Sequence, residues 1–97
     1  MTEFNYDISK LEIDFYGDSK VDVFDDDELV LEINKIDDSL WLVQASWIED
    51  NLILIKQDLA NELIRFIGRE IKEKHGTELP VVLHPNFFLP INNSNSN

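Results

Sequence analysis

From Leu11 onward, apolar and polar residues alternate in four successive runs. Leu11, Ile13 and Phe15 alternate with Glu12 and Asp14. Val21 and Val23 flank Asp22. Leu29, Leu31 and Ile33 alternate with Glu32 and Asn34. Trp41, Val43, Ala45 and Trp47 alternate with Leu42, Gln44 and Ser46. A period of two sends successive side chains to opposite faces of a sheet, so each run predicts a β-strand. A fifth run, Leu52-Ile53-Leu54-Ile55, is apolar on both faces and predicts a covered strand.

The breaks between runs are Gly17-Asp18-Ser19, Asp25-Asp26-Asp27, Asp37-Asp38-Ser39 and Glu49-Asp50-Asn51. Gly, Asp, Asn and Ser favour turns, because they tolerate left-handed backbone or bond to nearby backbone. Three-residue loops keep the faces in phase. Phe15 then opposes Val21, Val23 opposes Leu29, Ile33 opposes Val43 and Trp47 opposes Ile53. The lead-in carries Phe4, Tyr6 and Ile8 in alternation, as an edge strand or a segment lying on the core.

Beyond Asp58 the period changes. Leu59, Leu63, Ile67 and Ile71, with Ala60, Ile64 and Phe66 beside them, form one wide face of an α-helix. Asp58 is the expected N-cap and Gly76 the expected terminating glycine. Lys72, Lys74 and His75 suit the negative end of the helix dipole. Gly68 falls opposite the apolar face and weakens the helix. Leu79 to Leu83 predicts a short C-terminal strand at an edge. His84 to Pro90 is too apolar for a free tail, and packs on the body or takes a partner. The expected fold is α+β: a five-stranded antiparallel β-meander followed by one main α-helix packed on one face, with a short C-terminal strand or extended segment. It forms a single domain over residues 1–91, with a disordered polar tail over 92–97.

Composition narrows the classes. A chain of 97 residues that is 43% hydrophobic suits one folded domain and is too apolar for a disordered acidic tail. Without cysteine it has no disulfide, zinc-thiolate site or cysteine nucleophile. Met1 to Lys10 lacks a basic segment followed by an apolar run, and no stretch approaches the roughly 18 apolar residues of a membrane span. A soluble, cytoplasmic protein is expected.

Charge changes the picture most. The formal net charge is −12, and residues 1–55 carry all of it, while residues 56–97 balance. The excess therefore belongs to the predicted sheet. If the apolar set faces the helix, Glu12, Asp14, Asp22 and Glu32 share the other face, and Asp14 opposes Asp22. Like charges directly opposite destabilise a strand pair, so the clustering points to use. The turn acids Asp25, Asp26 and Asp27 extend the surface. Such a field attracts cationic partners and repels nucleic acid and anionic membranes. Carboxylates along strands also imitate a phosphate backbone. The expected partner is a basic protein surface, with no direct nucleic acid and no membrane. The expected role is a non-enzymatic acidic inhibitor or immunity-type protein, acting on a nuclease or nucleic-acid-binding complex. The partner-binding residues are Glu12, Asp14, Asp22, Asp25, Asp26, Asp27 and Glu32.

Other chemistry is sparse. Asp25-Asp26-Asp27-Glu28 lacks the spacing and central glycine of a calcium loop. His75 and His84 belong to no metal or catalytic motif, and there is no glycine-rich phosphate loop or nucleophile elbow. No metal, cofactor or catalytic residue is expected. Arg65, Arg69 and Lys72 form a basic stripe on the helix, read as solvated or as a second contact patch. Leu40, Leu42 and Ile48 make the fourth run apolar on both sides. Phe87-Phe88-Leu89 or a second subunit would cover that end. The alternative role is therefore a small assembly or chaperone-like adaptor, or a homodimer through Leu40, Leu42, Ile48, Phe87 and Phe88.

Overall fold

Each of the four alternating runs becomes a strand in the computed structural model, which describes residues 2–47, 52–76 and 78–89. In chain order the elements are β1 (Thr2–Glu3), a 3-10 turn (Ile8–Lys10), β2 (Leu11–Tyr16), β3 (Lys20–Asp25), β4 (Glu28–Ile36), β5 (Leu40–Ala45), β6 (Ile53–Leu54), α1 (Gln57–His75), β7 (Val81–Leu83) and β8 (Phe87–Phe88). The fold is α+β. A five-stranded sheet has the order β2-β3-β4-β5-β7, and a second sheet has the order β1-β6-β8.

Strands β2 to β5 form the expected antiparallel meander. Phe15 opposes Val21 and Ile33 opposes Val43. Val23, however, opposes Leu31 rather than Leu29. The turn between β3 and β4 is one residue shorter than expected, with Asp25 paired to Glu28. Regular pairing from that turn would set Asp22 against Leu31 and put a carboxylate in phase with the core. A bulge, with Val30 as the extra residue, restores the phase, so that Asp22 opposes Glu32 and Val21 opposes Ile33. Ser46 secures the bulge: its N–H donates to the Val30 carbonyl at 3.1 Å and its hydroxyl to the Leu29 carbonyl at 2.7 Å.

The fifth run does not continue the meander. Ile53 opposes Thr2 on one side and Phe87 on the other, in the small all-parallel sheet, rather than Trp47. Its faces also differ from expectation, with Ile53 and Ile55 buried, Leu54 half-buried and Leu52 exposed. The place beside β5 goes to β7, which runs parallel to it. Parallel neighbours need a long crossover, and the segment carrying α1 supplies it.

Helix α1 buries Ala60, Leu63, Ile67 and Ile71 against the sheet, the stripe its period predicts. It starts earlier than expected. Lys56 is the N-cap without a side-chain bond, and Asp58 lies in the first turn, where its charge complements the dipole. Gly76 ends the helix at φ 75°, its N–H donating to the Lys72 carbonyl at 2.7 Å. The buried core joins this stripe to Val21, Val23, Leu31, Ile33, Trp41 and Val43 of the large sheet, to Ile53 of the small one and to Phe4 and Ile55 just beyond its strands. The lead-in divides between the two expectations: Thr2–Glu3 is an edge strand of the small sheet, while Phe4 and Ile8 beyond it lie on the core, Phe4 packing edge-on against Tyr6 and Phe87. No helix among the described residues is long and apolar enough to cross a membrane. The expected polar tail, 92–97, and Ile48 lie outside the described residues.

Candidate partner-binding face

One face of the large sheet carries α1; the other carries the polar members of the alternation. Register assembles its central row: Asp14 opposes Asp22, Asp22 opposes Glu32, and Glu32 opposes Gln44. Neighbouring strands lie about 4.8 Å apart, so three carboxylates fall within about 10 Å across the sheet. Glu12 extends the row toward the β3–β4 turn, two residues before Asp14 on the same strand face.

Asp22 is the centre of the row, with its side chain 13% exposed. Lys20, two residues away on the same strand face, brings its Nζ to 3.4 Å from Asp22 Oδ1. The contact is an ion pair without hydrogen-bond geometry, and Oδ1 accepts no hydrogen bond among the described residues. No described residue pairs with Asp14, Glu12 or Glu32 in a salt bridge. A poorly solvated carboxylate between two others gains little from the fold.

The turn acids divide. Asp26 and Asp27 form a two-residue turn with φ of 53° and 70°, the mirror-image geometry that suits the twist of a hairpin. Both are exposed at the tip. Asp25 opposes Leu11 and so has the parity of the helix side, at the sheet's end. There its charge, with that of Glu28, acts on Tyr6, whose phenol is pushed above its ordinary pKa first by burial and then by these two carboxylates. The structure therefore brings Glu12, Asp14, Asp22 and Glu32 together on the open face, with Asp26 and Asp27 at its rim and Asp25 turned away. Lys20 and Gln44 are the members of the face that sequence reasoning missed. The signal for Lys20 was its spacing of two from Asp22.

Apolar groups flank the row. On one side lie Phe24 and Leu29, half-buried. On the other lie Tyr16, 48% exposed, Leu42 and Val82, 39% exposed, with Ile36 at 42% beyond them. The Phe87-Phe88-Leu89 segment does not cover these positions in the expected way. It pairs with β6, and Phe87 packs on the core beside Phe4.

Among the described residues, no three His, Asp or Glu side chains are placed to hold a metal ion. His75 lies between the rings of Phe15 and Trp41, stacked on the latter with centroids 5.7 Å apart. His84 Nδ1 accepts from the Asn86 N–H at 3.0 Å within the proline turn. Neither bonds to a carboxylate among the described residues. Compared with known protein families, curated proteins and solved structures, the chain matches none.

Proposed function

We propose that the chain is a non-enzymatic binding protein whose open sheet face occupies a basic surface of a partner protein, as an inhibitor or immunity-type protein does. The observation that carries this reading is the row Asp14–Asp22–Glu32, with Asp22 half-buried, its Oδ1 without a hydrogen bond among the described residues, and only Lys20 paired with it. A cationic partner supplies the charge and the hydrogen bonds that the fold withholds. Long-range attraction raises the association rate, and the rigid sheet blocks the surface it covers. A surface that normally holds nucleic acid fits best, because it already presents closely spaced cations to anions. A cysteine-free chain of this charge suits the cytoplasm.

The test is a pull-down from native lysate with the tagged chain, washed at low and at high salt, with mass spectrometry of what is retained. The triple variant Asp14→Asn, Asp22→Asn, Glu32→Gln is carried alongside. A stoichiometric basic partner, lost in high salt and at least ten-fold weaker with the variant, is the expected result. Unchanged affinity with a folded variant sinks the proposal.

A second reading rests on the half-exposed Tyr16, Ile36 and Val82 on the same face. It makes the chain an adaptor or a self-associating scaffold in which charge serves solubility. Binding or dimerisation that persists in high salt, and is lost with Ile36→Ser and Val82→Ser, would favour it.

A further inference from the structure

On the helix side of the sheet, α1 and the segment leading into β7 enclose an open groove of about 740 Å³. Its floor is apolar, formed by Ile64, Leu79, Pro80 and Val81, and Gly68, expected opposite the apolar face, instead faces Val81 at the helical wall. Arg65 and Arg69 line the same groove, one helical turn apart. Residues at that spacing have Cβ atoms about 5–6 Å apart, so two guanidinium groups can converge on one small anion. Neither arginine makes an ion pair among the described residues, whereas Lys72 is engaged with Glu78 at 3.0 Å across the end of the groove.

Gly68 is the second observation. Glycine is the poorest helix former after proline, and packing does not require it here. A Cβ at this position would meet Val81 Cγ2 at 3.7 Å, an ordinary contact. What the missing side chain does is leave space between the helix and β7. The volume lies in the range of small-molecule sites, which are mostly apolar with a few placed polar groups.

From these features we infer that the groove is a binding site for a small amphipathic monoanion, an aliphatic chain ending in a carboxylate. The chain lies over Leu79, Pro80 and Val81 beside Gly68, and the carboxylate meets Arg65 and Arg69. An arginine fork matches the paired oxygens of a carboxylate. A monoanion is preferred over a dianion because Lys72 is taken up by Glu78, which leaves two arginines, and the whole molecule is strongly negative.

The experiment is an amide NMR titration of the full chain with octanoate, beside 1-octanol and octyl phosphate. The expected result is saturable shifts at Gly68, Leu79 and Val81, with octanol at least ten-fold weaker. Arg65→Gln with Arg69→Gln should weaken octanoate at least ten-fold while leaving the rest of the spectrum in place. Gly68→Leu should block the site, with thermal unfolding to establish that the variant is folded. Shifts that never saturate, shifts spread over the open sheet face, or equal affinity in the double-arginine variant would each overturn the site. Tighter binding of octyl phosphate would overturn the choice of head group.

Discussion

Asp26 and Asp27 hold left-handed backbone, where a non-glycine residue is strained by about 1–2 kcal/mol and aspartate somewhat less. Replacing the pair by Asn-Gly, the sequence that best fits this turn, should stabilise the protein by about 1 kcal/mol and raise its melting temperature by roughly 4–8 °C. If the two acids also contact the partner, the same variant binds less well, which thermal unfolding and affinity measured together would separate. Asp7 accepts from the Ser9 hydroxyl at 2.7 Å and the Ser9 N–H at 3.0 Å, and these bonds hold its carboxyl below the usual range. Its contribution is therefore present above the unfolded value near 4 and fades as pH falls through the lower folded value. Asp7→Asn should flatten that part of the acid limb in a denaturation series. Tyr6 has the opposite sign. Its raised pKa favours the neutral phenol in the folded state, so its contribution is complete below about pH 10 and is lost as pH climbs to the folded value. Tyr6→Phe should remove this alkaline loss of stability. Strict alternation made the facing of Asp14, Asp22 and Glu32 legible from the residues alone. The conformation of Asp26 and Asp27 was not legible, since a run of three aspartates fits a two- or a three-residue turn equally well.

Among the elements, α1 offers the sharpest contrast. Ile67 is fully buried on the stripe against the sheet, and Ile67→Ala should cost about 2–5 kcal/mol in chemical denaturation. Gly68→Ala, one residue along, should instead stabilise the helix by about 1 kcal/mol, because its new Cβ finds ordinary contact with Val81. On the sheet, Asp14→Asn removes the like-charge pairing with Asp22 and should stabilise by about 0.2–1 kcal/mol. The helix, its buried stripe and its glycine stop were legible because each is a local pattern. So were β2 to β5, whose neighbours follow one another in the chain. The fate of Leu52 to Ile55 was not. Four apolar residues specify burial but no neighbour, and the places beside β6 go to Thr2–Glu3 and Phe87–Phe88, both remote in sequence. The parallel seat of β7 beside β5 was hidden for the same reason.

For the whole molecule, the −12 charge is concentrated in the chain that builds the meander, so one surface has two salt responses. Added salt screens the repulsion between acids and should raise the melting temperature of the free protein, while it weakens association with a basic partner. Calorimetry of the free protein and binding measured across one salt series would expose both trends. The imbalance was legible from residue counts. The groove beside Gly68 was not, because it exists only once β7 has taken its place. A last consequence follows from the small sheet, which gathers residues near the start, the middle and the end of the described chain. The meander is built from neighbours and can form early, since nearby contacts close quickly. The strip joining β1, β6 and β8 cannot close until Phe88 has left the ribosome. From the time Ile53 and Ile55 emerge until Phe88 does, they and Phe4 lack their final cover, and the growing chain already carries the acids of the meander. The charge that would draw a partner also keeps unfinished copies apart.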